Sequence, residues 1–117
     1  MSMESFRQCK SDDLAACAMG RLPAEIVIKN ARWVCVQTGE ILEHTDVAIL
    51  SARVAWVGEN ADHTIGPKTK VIDAHEMFMV PGLLDAHMHV ESGMVTVIEF
   101  VRADTLHGTT GMFIDPH

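Results

Sequence analysis

No apolar stretch in the chain reaches the ~18 uninterrupted residues that a membrane-spanning helix needs; Pro, Gly or a charged residue breaks each one sooner. Basic residues are scarce. There are 9 Lys and Arg against 16 Asp and Glu, a formal net charge of −7. That balance argues against a nucleic-acid binder, which usually shows a basic patch or stripe. Cysteine is sparse as well: Cys9, Cys17 and Cys35 are odd in number and lack zinc-site spacing. They read as reduced thiols of a cytoplasmic protein rather than as a disulfide framework. The N-terminal stretch MSMESFRQCKSDD is polar and of mixed charge, without the apolar core of a secretory signal. Internal repeats and low-complexity segments are absent. What is present is 117 residues of ordinary globular composition, 48% hydrophobic and 21% charged. This argues against disorder and allows one small domain or part of a larger one.

The pattern along the chain divides it at residues 1–24, 25–76 and 77–117. In the first segment Asp12 or Asp13 is placed to cap a short helix through Leu14, Ala15, Cys17, Ala18 and Met19, which Gly20 and Pro23 end. The second segment reads as β. Ile26 and Ile28, Trp33 to Val36, Val47 to Leu50, Val54 to Val57 and Val71-Ile72-Asp73 are short apolar runs. Asn30, Thr38-Gly39-Glu40 and Gly66-Pro67 punctuate them. Such spacing predicts a small antiparallel sheet or a β-sandwich-like domain. Ser51-Ala52-Arg53 lacks the Gly or Asn that a tight two-residue hairpin prefers. Trp33 and Trp56 are expected in the core or an interface of this β part. The third segment changes character. An apolar strand from Met77 passes Pro81-Gly82 and ends in His87-Met88-His89. Thr96 and Glu99 have capping-box spacing before a helix with Ile98, Val101 and Thr105 on one face. Gly108 stops that helix, and Met112-Phe113-Ile114 form a second strand before Asp115-Pro116-His117. Strand, helix and strand over this length make one βαβ unit with parallel strands.

His87-Met88-His89 is the sharpest chemical feature. Side chains alternate along a strand, so the two imidazoles project from one face. Two neutral imidazoles make half of a site for zinc, iron or manganese. They end a parallel strand, where α/β barrels and open α/β sheets keep their active sites. Asp115 and His117 end the neighbouring strand and face the same pocket, or else form an Asp-Pro turn. Glu91 reads equally as a group orienting a ligand histidine or as a solvated loop carboxylate. His44, His63, His75 and His107 are expected at the surface, and the thiols are expected to be inert.

The segment PGLLDAHMHVES resembles the first barrel strand of the amidohydrolase superfamily. LPAEIVIKNARWVCVQTGEI, HVESGM and HGTTGMFIDPH resemble, in order and spacing, the bacterial adenine deaminases, over about Leu14 to His117. His-x-His after Pro-Gly is shared widely in the superfamily, whereas Glu91-Ser92 together with Asp115-Pro116-His117 is more particular. Gly93 stands where that family usually has Ser, and the Glu that usually follows His117 is absent. The resemblance implies an α/β fold with a β part: a small β domain followed by the first βαβ unit of an incomplete (β/α)8 metal-dependent hydrolase barrel. It implies hydrolysis of adenine to hypoxanthine and ammonia, with a divalent metal, manganese or iron and alternatively zinc. His87 and His89 become metal ligands, and Glu91, Asp115 and His117 pocket-lining residues. A metal brings the pKa of bound water to about 7, and a carboxylate must carry the proton to the departing ammonia.

A barrel of this kind needs typically ~250 residues, so the segment from Met77 supplies two strands at most. The remaining ligands and the catalytic carboxylate are expected outside these 117 residues, and the chain alone is expected to be inactive. The expected partners are adenine for the parent enzyme and a second copy in a homo-oligomer, since an unclosed barrel exposes strand edges; neither nucleic acid nor membrane is expected. Two other readings remain: a cyclic amidase of the dihydroorotase or hydantoinase type, and a free-standing, non-catalytic β module.

Overall fold

The computed structural model describes residues 10–114, and the chain separates into two units, one up to Val80 and one from Pro81. The first opens with helix α1 (Ser11–Ala18). Its Asp residues sit inside the first turn rather than at the cap, which is Lys10. There the Asp13 carboxylate accepts a 3.4 Å hydrogen bond from the Lys10 amide, and both carboxylates meet the positive end of the helix dipole. The helix stops as expected at Gly20, whose φ of +75° is left-handed. The Gly20 amide donates to the Cys17 carbonyl and the Arg21 amide to the Ala16 carbonyl, the paired bonds of a Schellman ending.

Five strands follow: β1 (Ile26–Cys35), β2 (Glu40–Leu50), β3 (Arg53–Gly58), β4 (Lys70–Asp73) and β5 (Phe78–Met79). They form one sheet of order β3-β2-β1-β4, with β5 also paired to β1. This corrects the expectation of an antiparallel sheet or sandwich. β1 runs antiparallel to β2 but parallel to β4 and β5. The chain leaves β3, passes a 3-10 turn at Asp62–Thr64 and returns beside β1 in the same direction. The result is a single mixed sheet instead of two facing layers. Residues 77–80, grouped with the later strand on composition, lie here: the Arg32 amide donates to the Met77 carbonyl, and the Arg32 guanidinium covers the Phe78 ring.

Cys17, Ala24, Val27, Ala48, Leu50 and Ala61 form the core between α1 and the sheet, with Leu14, Leu22, Ala55 and Trp56 packed around it. Trp56 stands edge-on to His63, 5.0 Å between ring centres. His63 is exposed, yet its Nε2 lies 2.9 Å from the Ala18 carbonyl at the end of α1. Val57 faces the other way and lines an open groove with Trp33, Leu42 and Thr45. Asn30, with φ +57°, lies in a bulge of β1 opposite Asp46, and His44, with φ +49°, lies in a compensating bulge of β2 opposite Arg32; the Asn30 and His44 side chains meet at 3.1 Å. The hairpin from β2 to β3 is the two-residue turn for which its sequence is poorly suited: Ser51 and Ala52 both adopt positive φ, 49° and 60°, between the paired Leu50 and Arg53.

The second unit is the expected βαβ motif: β6 (Leu83–Met88), a 3-10 turn at Val90–Gly93, α2 (Val97–Thr105) and β7 (Thr109–Ile114). β6 and β7 pair in parallel. The Thr96 hydroxyl accepts from the Glu99 amide at 3.3 Å, as the capping spacing predicts. Helix α2 has no buried residue, however, so its apolar face is uncovered: Ile98 is 71% exposed. Two strands are too narrow a platform for a crossover helix.

Candidate metal centre

His87 lies in the last turn of the β6 pleat, and His89 links β6 to the 3-10 turn that follows. Met88, between them, pairs with Ile114 of β7. Val90 is 2% exposed and is the one buried apolar residue of this unit among those described. It pins the chain immediately after His89.

The two imidazoles converge. Their Nε2 atoms are 3.1 Å apart, and the rings stand at 88° with centres 4.7 Å apart. Simple alternation does not account for this, because β6 is irregular here. Asp85 pairs with Met112 and Met88 with Ile114, so β6 holds one residue more than β7 across that interval. β7 holds one more between Thr109 and Gly111, opposite Leu83 and Leu84. The two bulges compensate, and the strands leave in register.

The separation of the two nitrogens falls in the range that two ligands of one ion adopt. Nitrogen ligands ~2.0–2.2 Å from one metal, in adjacent tetrahedral or octahedral positions, lie roughly 2.8–3.6 Å from each other. The same separation also fits one N–H···N hydrogen bond between the rings. Among the described residues, no group of three or more His, Cys, Asp or Glu side chains is assembled around a common point. Asp115 and His117 lie outside the described residues, as does the side chain of Glu91. Asp85, which sequence reasoning passed over, accepts a 3.2 Å hydrogen bond from the His87 amide through Oδ1; its place two residues before the histidine was the available signal. A groove lined by Val101, Thr105, Thr109 and Met112 lies near the start of β7, away from the histidines.

His44, His63, His75 and His107 are exposed, as expected. Burial pushes the Cys17 thiol up from its ordinary range, in keeping with an inert group. The Cys35 thiol is drawn below its ordinary value by hydrogen bonding with Thr38. No described helix is long and apolar enough to cross a membrane.

Among solved structures, a prolidase crystallised with N-methylphosphonate-L-proline shares the fold, with a TM-score of 0.60 and 21% identity over 76% of this chain and 25% of its own. At that identity the likeness concerns the fold alone. No family model matches the chain. Curated sequences are more particular. An adenine deaminase of Mesorhizobium japonicum is 64% identical over 100 residues, which are 86% of this chain and 16% of the relative. Adenine deaminase 3 of Rhizobium meliloti is 59% identical over 100 residues, 86% of this chain and 17% of the relative. An adenine deaminase of Ruegeria pomeroyi is 50% identical over 104 residues, 89% and 17% respectively. The chain thus matches an N-terminal part of adenine deaminases and spans about a sixth of the length of these relatives.

Proposed function

We propose that these residues are the N-terminal part of an adenine deaminase, that the second unit begins its (β/α)8 barrel, and that His87 and His89 supply two ligands of a divalent metal centre, manganese or iron and alternatively zinc. One observation carries this reading: the His87 and His89 Nε2 atoms meet at 3.1 Å at the C-terminal end of a parallel strand, in a chain 64% identical to a curated adenine deaminase over 100 residues. Parallel strands place active-site groups at their C-terminal ends. When bound, a divalent ion supplies acidity to water near neutral pH. The chain's own contribution is to hold two neutral imidazoles at a ligand-like separation, with buried Val90 and paired Met88 fixing the backbone on either side. Glu91, Asp115 and His117 line the pocket in this reading. The carboxylate that carries the proton to leaving ammonia comes from outside these residues.

The test uses the full-length parent enzyme. Replacing His87 or His89 by Ala is expected to remove bound metal, read by elemental analysis, together with ammonia release from adenine. A His87→Ala enzyme with undiminished metal content would overturn the ligand assignment. Ammonia release by the 117-residue chain alone would overturn the view that two ligands are insufficient.

A further inference from the structure

We infer that Asp85 is the positioning residue of the histidine pair: its carboxylate holds the bulge in β6 that aims His87 at His89. The inference rests on the proposed ligand role of the two histidines. Its basis is the coincidence of three features within five residues. The strand carries one extra residue between Asp85 and Met88. The His87 amide, inside that interval, is bonded by Asp85 Oδ1 at 3.2 Å. The His87 ring then meets the His89 ring at its Nε2.

A bulge leaves its extra residue outside the ladder of backbone hydrogen bonds, so its amide turns to a nearby side chain or to water. A carboxylate two residues earlier in the chain supplies that acceptor locally, as Asp does in tight turns. Without it the favoured arrangement is a regular strand, in which the ladder resumes and residues 86 and 87 exchange faces. Asp85 is half-buried while His87 is exposed, so the acceptor is held by the unit and the ring is left to be aimed. The role requires an acceptor oxygen at this point and no negative charge.

The experiment titrates Mn²⁺ into the metal-free full-length parent enzyme, following free Mn²⁺ by electron paramagnetic resonance. The melting temperature of each metal-free variant is measured alongside. Asp85→Ala is expected to weaken Mn²⁺ binding by about 10–100-fold, the usual cost of losing a group that orients a ligand. Asp85→Asn keeps the acceptor oxygen and the shape, and is expected to bind Mn²⁺ as the parent does. That variant keeps the test decisive if Asp85→Ala fails to fold. Weakened binding in Asp85→Asn would overturn the inference, because charge and not amide acceptance would then be at work. Parent-like binding in Asp85→Ala, with binding lost in His87→Ala, would overturn it while leaving the ligand assignment intact. Parent-like binding in His87→Ala would overturn both.

Discussion

Asp46 offers the strongest test of how the first unit is held together. It is 3% exposed, in the middle of β2. Its Oδ1 accepts from the Asn30 amide at 2.9 Å and its Oδ2 from the buried Ala61 amide at 3.0 Å. The Lys29 ammonium stands 3.6 Å away. One carboxylate therefore secures both the β1 bulge and the loop that leads to the 3-10 turn. A hydrogen bond to a charged group contributes ~1.5–3 kcal/mol, and the partly exposed ion pair adds under ~1 kcal/mol. Allowing for non-additivity, Asp46→Ala should cost about 3–5 kcal/mol. That is a large part of the ~5–15 kcal/mol by which domains are stable. Asp46→Asn keeps one acceptor oxygen but turns an NH₂ group toward the other donor, and should cost about 2 kcal/mol. Urea unfolding followed by tryptophan fluorescence reads this unit alone, because Trp33 and Trp56 both belong to it. The reasoning fails if Asp46→Ala shifts the midpoint by less than the equivalent of ~1 kcal/mol at an unchanged slope.

Two further predictions concern the same unit. Left-handed backbone costs a non-glycine residue roughly 1–2 kcal/mol, and part of any relief is returned as the greater freedom of an unfolded glycine. Replacing Ser51-Ala52 by Asn-Gly, the preferred pair for this turn, should therefore raise stability by about 1 kcal/mol; a lower melting temperature would show that the turn is not the strained type described. The hydrogen bond and ion pair with Lys29 hold the Asp62 carboxyl below its ordinary value. Its contribution is thus present above the unfolded carboxyl pKa of about 3.9 and is lost as pH falls through the lower folded value. Asp62→Asn should flatten the acid limb of a stability–pH profile there, by a small amount because the pair is open to solvent; an unchanged acid limb would contradict the assignment.

Local signals carried much of this architecture. Thr96 with Glu99, Gly20, Gly39 and Gly108 marked element ends because capping and left-handed backbone depend on neighbours in sequence. The parallel βαβ unit followed from periodicity and element length. Strand partnership in the first unit did not follow. Nothing in Lys70–Asp73 or Phe78–Met79 states that they return to β1, because parallel pairing is decided by a long crossover and not by a turn. The bulges were equally hidden. Asn30 was visible as an interruption, but the extra residue between Asp85 and Met88 shows only when β7 is laid beside β6. For the histidine pair, strict alternation put both rings on one face, whereas the rings meet at 3.1 Å on a strand that carries an extra residue between Asp85 and Met88.

The two units differ in how completely they bury what they fold. In the first, α1 and the sheet enclose Cys17, Val27, Ala48 and Ala61 at 0% exposure. In the second, Leu84, Ile98 and Phe113 are 69%, 71% and 66% exposed. Leu83 and Leu84 alternate along β6, so both faces of the strand pair are apolar. Parallel sheets are covered on both faces in folded proteins, because their crossover helices and neighbouring strands bury them. Full burial of a side chain such as Leu, Ile or Phe is worth ~1.5–3 kcal/mol, so the uncovered residues of this unit represent unspent stabilisation comparable to that of a small domain. A βαβ motif with such surfaces acquires rigidity from further strands and helices, and ligand geometry at the strand ends acquires it with them. The first unit's core is thus enclosed by its own helix and sheet, whereas the histidine pair stands on two strands whose apolar residues are exposed on both faces.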